Sequence, residues 1–144
     1  SNNVVARIVG SEAPGETVVY TAHWDHIGTA LGMEGDNIFN GAFDNATGTA
    51  GLLALAEAFV AEGAPRRSVL FLAVTAEEQG LLGSRHYAQS PLYPAAETVA
   101  ALNMDGMNGG GRTMDITGDG LGQSELDDIA NAVATKSPPS RLTT

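Results

Sequence analysis

The segment Ser68–Gly80, "SVLFLAVTAEEQG", decides the fold class. Its first seven residues are a continuous apolar run of strand length, and such a run suits a strand covered on both faces, the habit of parallel sheets. The run then stops at two adjacent carboxylates, Glu77 and Glu78. Upstream, "VVYTAHWDHIG" (Val18–Gly28) repeats the arrangement, an apolar strand followed by His23, Asp25 and His26. Downstream, "ETVAALNM" is a third apolar strand, with Asp105 at its end.

Helical patterns separate these strands. From Thr49, "TAGLLALAEAFVAEG" sets Leu52, Leu53, Leu55, Ala56, Phe59 and Val60 on one stripe and stops near Gly63 and Pro65. "LLGSRHYAQS" reads as a short helix ending before Pro91, and "SELDDIANAVATK" as a helix with Ser124 as its N-cap. "VVARIVG" (Val4–Gly10) reads as an edge strand, "SEAPGE" as a turn, "RTMDITG" as a weaker strand and "SPPSRLTT" as an irregular tail. Strands alternating with helices predict a sheet covered by helices on both faces.

The 144 residues, 43% hydrophobic, suit a single domain spanning 1–144. With 17 acidic against 7 basic residues the net charge is -10, which argues against nucleic acid and anionic lipid as partners. Cysteine is absent, so thiolate ligands and disulfides are excluded, and any metal must be held by imidazole and carboxylate. No apolar run approaches the roughly 20 residues of a membrane span. The opening "SNNVVARIVG" has neither the basic nor the apolar region of a signal peptide.

Open α/β sheets bind ligands beyond the carboxyl ends of their strands, so the strand-end acids converge on one rim, where Asp44 of "GAFDNATG" can join them. Any one of them could be a turn former or a helix cap. As a set they would repel, since unit charges about 4 Å apart interact by about 4 kcal/mol at an effective dielectric of 20. Arg66 and Arg67 sit at the other end of the central strand. Two divalent cations would balance the charge, and an imidazole with several carboxylates suits zinc. In "HWD", Asp25 can hold the ring nitrogen of His23 that faces away from a metal, or the two can be a plain surface pair. Glu77 and Glu78 cannot both point at one spot from an extended backbone. Either one binds metal while the other moves a proton, or both are solvated acids at a helix start.

With these segments assembled, the chain resembles the co-catalytic di-zinc exopeptidases, a family containing secreted bacterial leucyl aminopeptidases, glutamate carboxypeptidase and glutaminyl cyclases. The matching stretches are "AHWDHIG", "NGAFDNATGTAGLLALAEAF", "SVLFLAVTAEEQGLLGSRHYA" and "ALNMDGMN", in the family's order from about Val18 to Asn108. The resemblance implies a three-layer α/β/α sandwich with a mostly parallel mixed central sheet. It implies that His23 and Asp105 bind one zinc, Glu78 the other, and Asp44 both. Glu77 matches the general base and Asp25 the acid behind His23. The Asp44–Asn45 peptide is a candidate cis bond.

By the same resemblance the expected activity is aminopeptidase hydrolysis of peptides with a free N-terminus, in an extracellular or periplasmic setting. Glutaminyl cyclase, carboxypeptidase and a non-catalytic receptor-like domain are the alternatives. The family supplies a second metal-binding histidine downstream of the position of Asp105, and no histidine follows Asp105 here. His26 and His86 are read as surface or supporting residues rather than substitutes. The expectation is therefore a catalytic domain that continues beyond residue 144, with weak or single-site metal occupancy and little activity in this chain alone.

Overall fold

The central strand, β5 (Arg67–Val74), is buried at every position but its first and Ala73. The computed structural model describes residues 1–111, 113–136 and 141–143. Its contacts divide the chain into two units, Ser1–Gly109 and Gly110–Thr144.

In the first unit β1 (Val4–Ile8), β2 (Ala13–His23), β5 and β6 (Thr98–Asn103) form one sheet in the order β1-β5-β2-β6. β2 runs parallel to both β5 and β6, and β1 closes one edge antiparallel to β5. The sheet is thus mixed and mostly parallel. The "SEAPGE" stretch departs from the expected turn. Ala13–Glu16 already belongs to β2, and a register shift between Ala13 and Thr17 absorbs the Pro14–Gly15 irregularity.

Because side chains alternate along a strand, β5 feeds two cores. Val69 and Phe71 join Ala22 and Leu52 on the face covered by α1 (Ala46–Glu62). Leu70, Leu72 and Val74 join Val19 on the other face, where Tyr87 of α2 (Leu82–Gln89) packs against them. Helices therefore cover both faces. Tyr20, Phe59 and Phe71 meet with ring centroids 6.1–6.2 Å apart and fix α1 on the sheet.

α1 begins at Ala46, earlier than its apolar stripe alone indicates, because Asn45 caps it. Its stripe is also narrower than expected. Leu52, Leu55, Ala56 and Phe59 face the core, but Leu53 and Val60 are each 70% exposed. Between β2 and α1 a small antiparallel pair, β3 (Gly28–Thr29) and β4 (Ile38–Phe39), folds the loop back on itself. A 3-10 turn at Ala95–Glu97 leads into β6.

In the second unit β7 (Asp115–Thr117) pairs in parallel with β8 (Arg141–Thr143), and α3 (Leu126–Lys136) connects them. Ser124 Oγ accepts from the Leu126 amide at 3.3 Å, consistent with its capping role. The tail thus contains a strand rather than being irregular throughout, while 137–140 and 144 lie outside the described residues, as does Arg112. Among the described residues no helix is long and apolar enough to cross a membrane.

Candidate metal centre

Three parallel strands deliver their carboxyl ends to one rim. His23 is the last residue of β2 and pairs with Val74, the last of β5, while Thr21 pairs with Asn103, the last of β6. Two further main-chain bonds, Trp24 N to Val74 O at 3.0 Å and Met104 N to Thr21 O at 2.9 Å, carry the ladder past the strand ends. Residues just beyond are therefore held in register. The opposite rim carries the basic residues, where Arg66 pairs with Glu12 at 2.6 Å and Arg67 pairs with Glu16.

His23 is 2% exposed. Its Nδ1 donates to the Asp25 carbonyl at 3.0 Å, which leaves Nε2 directed at Asp44 Oδ1, 2.9 Å away, and Asp105 Oδ1, 3.4 Å away. Burial alone would lower the His23 pKa, but the Asp25 carbonyl and the carboxylates of Asp105, Glu77 and Asp44 outweigh it and raise it. The structure corrects the expected part of Asp25. It holds His23 by its main-chain oxygen, the nearest carboxylate approach being 3.8 Å, and its carboxylate instead accepts the Glu77 amide. The physical reason is that β2 ends at His23, so the two residues no longer share one face of a strand.

The Glu77 amide reaches Asp25 because the chain turns sharply off β5. Ala76 has φ 55, a left-handed conformation, and the amides of Gly80 and Leu81 both donate to the Glu77 carbonyl at 2.8 Å. Burial pushes the Glu77 carboxyl above its ordinary pKa. His23 opposes this, and Glu78, Asp105 and Asp44 push further upward. Glu78 points elsewhere, its Oε1 lying 2.7 Å from Nδ1 of His26. The two glutamates point apart, but from a turn rather than from the extended backbone the sequence suggests.

Asp44 enters from the loop before α1, and its peptide bond to Asn45 is cis. Asn45, 1% exposed, is named from the sequence only for that bond, yet it joins three segments. Its Oδ1 accepts from Gly48 at 2.9 Å and Gly106 at 3.3 Å, and its Nδ2 donates to the Met104 carbonyl at 2.9 Å. Its residue type and place before a helix were the available signal. Gly48 lets α1 come this close, since a Cβ there would lie 2.4 Å from the Met104 carbonyl oxygen. Thr49 of α1 adds a bond from its hydroxyl to the His23 carbonyl at 3.1 Å.

These residues form two triads of donors, His23–Asp44–Asp105 and His26–Asp44–Glu78, each with ligand atoms within 4.8 Å of one another. The donor set fits a zinc-type cation. It consists of nitrogen and oxygen atoms, Nε2 of His23 is freed by the Asp25 carbonyl, and the crowded acids call for positive charge. His86 is elsewhere, lining a cavity of about 660 Å³ with Asn3, Val5, Thr75 and Tyr87. A smaller cavity, about 310 Å³, adjoins the centre and is lined by Trp24, Asp25, His26, Asn45 and Leu53 among others.

The family model for peptidase family M28 matches residues 3–142. The chain belongs to this family. A probable zinc metalloprotease of Pyrenophora tritici-repentis is 37% identical over 105 residues, covering 72% of this chain and 21% of the relative. A vacuolar membrane protease of Clavispora lusitaniae is 28% identical over 114 residues, covering 79% of this chain and 10% of the relative. The chain thus spans about a fifth or less of the length of these relatives. A zinc aminopeptidase from Bacillus subtilis shares the fold with a TM-score of 0.71 at 24% identity, over 99% of this chain and 34% of the other. The expected extracellular or periplasmic setting is corrected by these matches. The Clavispora relative and two from Candida species are named vacuolar membrane proteases, not extracellular or periplasmic ones.

Proposed function

We propose that this chain carries the catalytic centre of a zinc-dependent aminopeptidase, acting on peptides with a free N-terminus. The observation that carries the reading is the convergence of His23, Asp44 and Asp105 beside Glu77 at the ends of three parallel strands. Family membership and the zinc aminopeptidase fold neighbour support it.

His23, Asp44 and Asp105 would hold one cation, and Asp44 with Glu78 would face a second. Bound divalent cations would lower the pKa of a water and polarise the scissile carbonyl. Glu77 acts as the proton carrier. Its pKa, raised by burial and the neighbouring carboxylates, suits a group that takes a proton from the attacking water and returns it to the leaving amine. Asp25 acts through others, setting the His23 ring by its carbonyl and the Glu77 backbone by its carboxylate.

The test is Glu77→Gln, assayed on aminoacyl-nitroanilide substrates with zinc content measured in parallel. The expected result is loss of turnover by about 10²-fold or more with metal retained. Wild-type turnover in the variant would reject the role.

A further inference from the structure

Glu77 and Glu78 stand on a turn, 75–83, that leaves β5 through two non-glycine residues in the left-handed region, Ala76 at φ 55 and Leu81 at φ 62. A β-carbon makes this conformation unfavourable, so it persists only where surrounding bonds fix it. Within the turn the Leu82 amide donates to the Ala76 carbonyl at 3.0 Å and the Gly83 amide to the Thr75 carbonyl at 2.9 Å. Asn3 closes the turn from outside. Its Oδ1 accepts the Thr75 amide at 3.1 Å and its Nδ2 donates to the Gly83 carbonyl at 2.8 Å, across 72 and 80 positions of sequence. Only this orientation of the side-chain amide satisfies both, since an amide hydrogen needs an oxygen and a carbonyl needs a nitrogen-bound hydrogen.

Asn3, Thr75 and Gly83 thus form a closed ring of three hydrogen bonds that joins the end of β5 to the start of α2. Thr75 is buried, so removing Asn3 Oδ1 strips a buried amide of this acceptor, which is costly. The fit is close at Gly83, where a Cβ would lie 2.5 Å from Asn3 Oδ1 and 2.3 Å from the Thr75 carbonyl oxygen. The edge strand brings Asn3 there. Val4 pairs with Ala73 in the antiparallel ladder, so the residue before β1 is carried to the end of β5. One residue earlier, the Asn2 carbonyl accepts from Trp24 Nε1 at 3.2 Å, and Trp24 stands between His23 and Asp25. A single segment therefore touches both the β2 end and the β5 end of the rim.

We infer that Asn3 is a positioning residue of the metal centre: its side-chain amide sets the turn that presents Glu77, together with the Asp25 carboxylate that accepts the Glu77 amide. This rests on the proposed function in taking Glu77 as the proton carrier. That Asn3 fixes the turn does not depend on it.

The experiment is Asn3→Ala, with native-state amide hydrogen exchange of the 144-residue chain read residue by residue by NMR beside its urea midpoint. The Glu77, Gly80 and Leu81 amides should exchange faster by at least about tenfold beyond any change at Thr49 and Met104, whose amides are bonded to Asn45 and Thr21. A merely structural role would speed all five alike, in step with the urea midpoint, and that result would overturn the inference, as would unchanged rates. Turnover on aminoacyl-nitroanilide substrates should fall at least about tenfold through kcat, with KM within about twofold of the wild type. Wild-type kcat with a loosened turn would overturn it as well. Far-ultraviolet circular dichroism checks folding, and if Asn3→Ala does not fold, Asn3→Asp, which keeps the acceptor and loses the donor, is compared in the same way. Wild-type turnover in Glu77→Gln would reject the proposed function instead, and the exchange rates would still decide whether Asn3 fixes the turn.

Discussion

Asn45 Nδ2 donates to the Met104 carbonyl at 2.9 Å, so the residue after Asp44 is fastened to the residue before Asp105. Two carboxylates 61 positions apart in sequence are thereby set by one buried amide that also caps α1 through Gly48. Asn45→Ala removes the cap and leaves the Met104 carbonyl and the Gly106 amide without this partner. The expected loss of stability is about 2–4 kcal/mol, from the cap and the unsatisfied groups together. Urea denaturation of the 144-residue chain measures it. A loss below about 0.5 kcal/mol, the range of an ordinary surface substitution, would show that the linkage carries no stability.

Asp25 gives a second, separable prediction. Its carboxylate accepts the Glu77 amide through both oxygens at 3.1 Å, while its carbonyl holds His23. Asp25→Ala keeps the carbonyl and removes the carboxylate. Metal affinity or turnover should fall by about 10–100-fold, as for other groups that orient a ligand from behind. Calorimetry with Zn²⁺ and steady-state kinetics check the two quantities separately. An unchanged variant would mean that the left-handed turn at Ala76 holds Glu77 without help.

The parts of this centre differ in how readable they are from sequence, for physical reasons. Strand ends were legible because β2, β5 and β6 are apolar runs that give way to His23, Glu77 and Asp105 respectively. Which atom of Asp25 does the holding was not legible, because it depends on β2 ending two residues earlier. His26 was visible as a residue, but its contact with Glu78 depends on the β3–β4 fold bringing Phe39 and Gly41 against the ring. Asn45 is named from the sequence only for its peptide bond, because two of its three partners, Met104 and Gly106, lie 59 and 61 residues away. "SEAPGE" was misread because Pro and Gly signal turns locally, whereas pairing with β5 and a register shift extend β2 through them.

The alkaline limb of stability is expected to report Tyr87. Burial raises its pKa, and the neighbouring Tyr93 adds to the rise while Arg7 opposes it. In the unfolded chain the phenol ionises near pH 10, whereas the folded chain keeps the proton to higher pH. Stability from this group is therefore fully present below about pH 10 and lost as pH rises through the folded value. Tyr87→Phe cannot ionise, so its stability should decline less between about pH 9 and 11 than that of the wild type. Parallel urea midpoints across that range decide the matter. Identical slopes would mean that Tyr87 titrates alike in both states.

Neighbouring leucines on α1 provide the sharpest comparison between pattern and packing. The sequence stripe includes both Leu52 and Leu53, but Leu52 is 4% exposed and packs with Ala22, Val69 and Phe71, whereas Leu53 is 70% exposed. The helix is apolar nearly all round, with Glu57 and Glu62 its charged residues, so periodicity alone cannot say which face meets the sheet. What settles the face is the cap at Asn45 and the close approach at Gly48, which fix the rotation of α1 from its first turn. Leu52→Ala should cost about 2–5 kcal/mol through lost burial and a residual cavity. Leu53→Ala should stay within about 0.5 kcal/mol of the wild type. Denaturant midpoints of the two variants measure the contrast. Equal costs would mean that the outer face of α1 is covered in solution, and that its rotation is not set by the cap alone.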